Sequence, residues 1–445
     1  MYHFPKDLYA DVRIEEYYNL NLHMKNDVME TDSSMTEKGA IIRVFDGEMW
    51  YTSTTNKLDD IQKELDNLAT LAKPDPAIYE HPFVQKYQVH EATVLMYEGD
   101  KDARKISRGE WMELLDHYKG LCVDESIEEI PLWMVNVSCS HLKKSFYSSK
   151  GAAIIQDRQE CSIGVVFGIT VDGITTFGGK RYVKDCKEDL YGYENEINKE
   201  RDKYLDFARN AVQVEPGVYT CILSPLATSM FVHESFGHKS ESDLMLNDKT
   251  LQDEWVMGKN VGNGKVSICD AGDMPNHGYV PYDDEGTPAG VNWLIKEGKL
   301  VGRLHDAKSA ATLGEELTGN ARAQSYYHMP IVRMTNTYME GGEDAPQDMI
   351  AGVKDGIYVY SVEHGSGMAT FTIKPAICYR IRDGKLQEPL RVNVLTGSVF
   401  ETLFDIDAVG NDFEMIDNYI CGKNGQSVPV SAGGPSIRVK KMTFN

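Results

Sequence analysis

No CxxC pair occurs in this chain. Its eight cysteines, at 122, 139, 161, 186, 221, 269, 378 and 421, are scattered over 445 residues. They read as mostly buried free thiols rather than a disulfide framework. No apolar run reaches the roughly 18 residues that a membrane-spanning helix requires, so no membrane partner is expected. The opening stretch MYHFPKDLYADVRIEEYY is acidic and has no apolar h-region, so it does not read as a signal peptide. No Lys/Arg-rich run offsets a net charge of −22, drawn from 46 basic and 68 acidic residues. Such a chain repels phosphate backbones at long range, and direct nucleic-acid binding is not expected. A cytoplasmic protein follows from these absences.

What is present is ordinary globular material. Hydrophobic residues make up 42% and charged residues 26% of the chain, which argues against disorder. The length exceeds one core, so two domains are expected.

Alternation in DVRIEEYY and in GAIIRVFDGEMWYTST predicts strands, with Asp46-Gly47 as a hairpin turn. LDDIQKELDNLATLAK has apolar residues at 58, 61, 65, 68 and 71, a helical period stopped by Lys-Pro. ISRGEWMELLDHYKGLC (106–122) predicts a second helix closed by Gly120, and EINKERDKYLDFARNAVQ (196–213) a third. Between them, residues 130–185 alternate with Gly and Ser turns, as an antiparallel meander does. Glu215-Pro216-Gly217 marks the expected boundary between domains 1–215 and 216–445. The second half is poor in helix, rich in glycine, and has hairpin signals at Lys296–Lys299 and Arg382–Lys385. The fold class is therefore α+β, with a mixed first domain and a mostly antiparallel β second domain.

One stretch carries chemistry. FVHESFGH, residues 231–238, is the HExxH zinc-peptidase signature with one residue too many. On a regular helix each residue turns about 100°, so positions i and i+4 lie about 40° apart and can share a metal, whereas i and i+5 lie about 140° apart. His233 and His238 can meet only if the helix takes a π-type turn. Gly237 eases that distortion, and Ser229 or Thr228 is placed to cap the helix start. A hydrolytic zinc centre takes three protein ligands and leaves one position for water. His233 and His238 would be two of them, and Glu234 would act as general base. On residue type alone Glu241, Asp243, Cys269, Cys378 and Cys421 all remain open as the third. The bland alternative is two histidines and a glutamate on a solvated helix.

Four further blocks, HESFGHKSESD, DDEGTPAGVNWLIKEGKLVG, TGNARAQSYYHMPIVRMTNTYM and ICGKNGQSVPVSAGGPSIRV, resemble the TldD/PmbA family over nearly the whole chain. That family comprises zinc metallopeptidases long labelled modulators of DNA gyrase. Its TldD-like subunit carries HExxxH and a cysteine ligand, and its PmbA-like subunit lacks the metal motif. The resemblance is to the TldD-like subunit, and it selects Cys421 as the third zinc ligand. It implies one zinc per catalytic subunit and hydrolysis of small or unfolded peptides in a chamber formed by subunit pairing. The partner it implies is a PmbA-like paralogue, or a second copy where only one chain is expressed. The rival reading is a non-catalytic protein that modulates DNA gyrase or toxin–antitoxin components by contact, but that role has no use for Glu234. The chain departs from the family where HGLEGD is usual and HKSESD stands here, which leaves the metal residues untouched.

Arg322, Tyr326, His328 and Arg333 sit in the third block. They read either as a substrate cleft wall, with His328 or a tyrosine on the oxyanion, or as buried groups tying strands together. Asp284–Thr287 reads as a tight turn. His364 and Gly365 open a Gly-rich segment able to pair with an extended peptide by strand addition, or to serve as a plain hairpin loop.

Overall fold

The computed structural model describes residues 2–122, 127–367 and 370–445, and the fold is α+β. The first sheet has seven strands, in the order Trp50–Thr55, Val28–Phe45, Tyr9–Lys25, Leu132–Ser148, Ala153–Val171 and Glu91–Val94, with Ile174–Lys184 also on Ala153–Val171. The expected Asp46-Gly47 hairpin is present: Phe45 faces Trp50 across the ladder, and Gly47 takes a φ of +97° that glycine adopts at no steric cost. Helix Ile61–Leu71 buries Ile61, Leu65 and Leu68 beside Val12, Ile42 and Val44 of the sheet. Helix Arg108–Cys122 does not stop at Gly120. Its buried face of Trp111, Leu114, Leu115 and Tyr118 extends to Cys122, and packing overrides the glycine.

The remaining sheets draw their strands from residue 212 onward. One has eight strands, including Gly217–Leu223, Asp355–Gly367, Thr370–Arg382 and Ile437–Phe444; another has six, including Asn336–Met339, Glu414–Lys423 and Gln426–Gly434. Val212–Gln213 already pairs with Lys385–Arg391 of the larger sheet. Change of sheet therefore follows directly on helix Glu194–Asn210, a few residues ahead of the Glu215-Pro216-Gly217 turn.

Helix Pro225–Val232 packs against strands of both C-terminal sheets. Ala227 through Val232 are all buried, which explains why its sequence is apolar on every side. It begins earlier than the sequence suggests. Ser224, not Ser229 or Thr228, is the N-cap, accepting a hydrogen bond from the Ala227 N–H, and Pro225 follows at the first helical position, where its missing N–H costs nothing.

The two halves meet through buried charge. Arg13 of the first sheet donates to the Ser325 and His328 carbonyls at 2.8 and 3.0 Å. Lys144 pairs with Asp284 at 2.7 Å, and the Tyr326 N–H donates to Glu15 at 2.8 Å. The Asp284–Thr287 turn thus docks onto the N-terminal sheet, with Gly286 facing Phe146 and Ile154.

Candidate metal centre

Residues His233–Gly237 form a π-helix, and the N–H of His238 donates to the His233 carbonyl five residues back. The extra residue in the motif is absorbed by this turn, and the two imidazoles come to one side with ring centroids 5.1 Å apart. Aromatic anchors hold the turn at both ends. Phe231 packs edge-on against Phe371 at 5.1 Å, and Phe236 against Trp255 at 5.0 Å. A Cβ on Gly237 would lie 2.0 Å from the Met334 sulfur, so any larger residue there must displace that side chain.

Cys421 arrives from strand Glu414–Lys423. Donor atoms of His233, His238 and Cys421 all lie within 4.8 Å of one another, and Cys421 Sγ is 3.5 Å from His238 Nε2. The trio fits a metal on three counts. His233 Nδ1 is buried with no protein partner. The donor set, two imidazoles and a thiol, is one that zinc favours. Burial pushes the Cys421 thiol up, but hydrogen bonds from His233 and His238 outweigh it and bring it down to about 5, a shift that favours the thiolate, the form that binds metal. The His238 ring moves the other way: burial lowers it, but Cys421 and Glu241 raise it to about 10.

Glu234 stands next to this trio. Burial raises its carboxyl above the ordinary carboxylate range, against the opposing charges of His233 and His238. The Gly-rich segment lies directly over it: a Cβ on Gly365 would meet Glu234 Cγ at 2.9 Å, and one on Gly367 the Glu234 carbonyl at 3.0 Å. His364 is exposed beside it. Among the described residues, the second edge of strand Asp355–Gly367 has no strand partner beyond Val359.

Arg322, Tyr326 and His328 are not brought to this centre. They line a separate cavity of about 500 Å3 between the two halves, together with Ile420 and Pro429. Ile420 and Cys421 point to opposite faces of their strand, as alternation demands, so this cavity and the metal trio lie on either side of one hairpin. The polar groups of these residues are also occupied. Arg322 donates to the Met334 and Pro429 carbonyls at 2.5 and 2.8 Å, Tyr326 donates through its hydroxyl to Glu37 at 2.6 Å, and His328 meets Ser325 at 3.0 Å. Their donors are engaged away from Glu234, as those of strand-tying residues would be, while the residues also line this cavity. Arg333 ties strands as well, donating to the Cys421 carbonyl.

Of the other open ligand positions, Cys269 and Cys378 are buried in strands outside the trio. Glu241 touches His238 Nδ1 at 3.0 Å, and Asp243 is held by Lys423 at 2.6 Å. Lys423 and Tyr419 escaped notice in the sequence. Tyr419 stacks along His233 at 6.3 Å and shares a 3.0 Å hydrogen bond with Ser229. The period of two linking 419, 421 and 423 was the available signal. The departures in HKSESD are accommodated locally: Ser240 and Ser242 hydroxyls donate to the Gly237 and Leu304 carbonyls at 2.6 Å, and Lys239 pairs with Glu254 at 2.8 Å.

An α+β molecule with a His, His, Cys trio, buried at His233 and Cys421 and half-buried at His238, beside a carboxylate has the make-up of a metal-dependent hydrolase. Comparison with known proteins gives the family. Residues 216–445 match the PmbA/TldA metallopeptidase C-terminal domain and residues 10–73 match PmbA/TldA metallopeptidase domain 1. A metalloprotease of Synechocystis is 31% identical over 97% of this chain and 93% of its own length. A zinc metalloprotease TldD homologue of Saccharolobus solfataricus is 33% identical over 67% of this chain and 68% of its own. The chain belongs to the PmbA/TldD metallopeptidase family. TldE from Thermococcus kodakarensis superposes with a TM-score of 0.77 at 16% identity, covering 98% of this chain and 96% of that one. A Thermotoga maritima structure, described as a candidate modulator of a DNA gyrase, gives 0.76 at 18% identity, covering 98% and 96%. These two share the fold.

Proposed function

We propose that this chain is the catalytic, zinc-dependent subunit of a peptidase that cuts small or unfolded peptides. The observation that carries the reading is the convergence of His233, His238 and Cys421 donors within 4.8 Å beside Glu234. His233, His238 and Cys421 would hold the zinc. When bound, that ion supplies Lewis acidity that polarises a scissile carbonyl and makes water a nucleophile near neutral pH. Glu234 takes the proton of the attacking water and passes it to the leaving amide nitrogen. Its raised proton affinity matches both halves of that exchange.

The open edge of His364–Gly367 over Glu234 suits an extended peptide, whose main chain would pair with it irrespective of side chains. Such binding favours unfolded segments over folded proteins. The kinship to a TldE structure supports a paralogous partner that encloses the site, with a second copy of this chain as the alternative. Among the described residues no helix is long and apolar enough to cross a membrane.

The test is chelation and reconstitution on an unstructured peptide, with and without a PmbA-like paralogue. Cleavage lost on chelation and restored by zinc supports the reading. A zinc-loaded protein that cuts nothing in either arm overturns it in favour of a contact modulator.

A further inference from the structure

We propose that Glu241 and Lys423 are a positioning pair for His238: Glu241 holds Nδ1 so that Nε2 is the ring atom turned to the metal, and Lys423 holds Glu241 from the strand that also carries Cys421. This inference rests on the metal-site reading above.

Geometry supports each link. His238 Nδ1 lies 3.0 Å from Glu241 Oε2. A carboxylate only accepts, so the proton on Nδ1 faces Glu241, and Nε2 is the ring atom left for a metal to take in place of its own proton. Nε2 is the atom 3.5 Å from Cys421 Sγ. With Nδ1 engaged behind it, the ring turns Nε2 toward the shared centre.

Glu241 is completely buried, and a buried carboxylate needs a partner. Lys423 Nζ supplies it at 3.2 Å, again on Oε2. Oε1 is buried with no protein partner, so one oxygen carries both contacts. Lys423 itself is 6% exposed. It is aimed by Asp243, at 2.6 and 2.8 Å, and by the Val332 carbonyl at 2.9 Å.

The two sequence spacings mesh. Cys421 and Lys423, two apart on a strand, share a face. His238 and Glu241 are three apart, across the short 3-10 turn that follows the π-helix. One strand face therefore presents a thiolate to the imidazole and an ammonium to the carboxylate behind it. A carboxylate behind a ligating histidine fixes ring orientation and raises ligand basicity.

The test uses the full chain, stripped by a chelator and titrated with zinc against a chromophoric competitor; the cobalt-loaded protein is read by absorption. Glu241→Gln keeps shape and removes charge. Zinc affinity is expected to fall by about 10- to 100-fold, with a shifted cobalt spectrum; the metal-free variant also melts lower because a buried charge partner is lost, so affinity is read well below that temperature. Lys423→Gln should move affinity the same way by less. Wild-type affinity and spectrum in Glu241→Gln overturn the inference. If that variant does not fold, unchanged affinity in Lys423→Gln does so. A wild type that binds no zinc overturns the metal reading and this inference with it.

Discussion

At the residue scale, the approach of Gly365 to Glu234 constrains where the base can stand. A Cβ at 365 would intrude to 2.9 Å from Glu234 Cγ, and a displaced general base loses its line to water. Gly365→Ala is expected to lower turnover by about 10- to 100-fold while zinc content stays at the wild-type level; steady-state rates on zinc-assayed protein check this. The four central residues differ in how far sequence exposed them. His233, Glu234 and His238 share one short stretch, so spacing alone shows them. Cys421 is 183 positions from His238, and by type it was equal to Cys269 and Cys378. Family resemblance separated it in the sequence, and topology separates it in space. Arg322, Tyr326 and His328 show the opposite outcome: crowded in one block, they are not brought to the metal trio, and their side chains bond to the Met334 and Pro429 carbonyls, Glu37 and the Ser325 hydroxyl respectively.

At the scale of the element, the π-helix decides whether a site exists. The need for it was legible, because i and i+5 cannot meet on a regular helix. Its start was not: the serine of Ser224-Pro225 caps the helix, and an apolar run hides where the first turn lies. Gly237 lets the turn press against Met334. Gly237→Ala puts a methyl 2.0 Å from the Met334 sulfur and is expected to cost about 1–3 kcal/mol, read as a lower urea midpoint of the metal-free protein, with weaker zinc uptake alongside. A variant as stable as wild type would mean that the turn does not depend on this contact. Strands and hairpins in general were legible from alternation and from Asp-Gly or Glu-Gly turns. The end of helix Arg108–Cys122 was not, because its buried face carries it past Gly120.

On the scale of the whole molecule, two halves with separate sheets meet across buried polar groups. Sequence reading gave the two-part organisation from length and from the switch in pattern, but the charges that join the halves are distant in sequence and carry no local signature. His277 sits on this seam, 5% exposed, facing Glu160, Arg158 and Arg181 of the first half and Asp417 of the second. Burial and then the arginine charges push its imidazole down to about 2. Glu160, 2.9 Å away, would favour the protonated ring, but Arg158 pairs with that carboxylate, and burial wins. The folded ring therefore stays neutral while an unfolded chain takes up a proton near the ordinary value of about 6.5. This contribution to stability is complete above that value and falls as pH drops through it, by up to about 1.4 kcal/mol per pH unit. Urea midpoints between pH 7.5 and 5 should decline more steeply for wild type than for His277→Gln; parallel curves would remove His277 from the acid response.

The most direct measurement compares zinc-loaded wild type with zinc-loaded Glu234→Gln on one unstructured peptide, alone and with a PmbA-like partner, products being read by mass spectrometry. The expected result is equal zinc in both proteins and cleavage by wild type alone, the variant being slower by at least about 100-fold. Equal cleavage by both would contradict the role of Glu234, and cleavage by neither would contradict the peptidase itself.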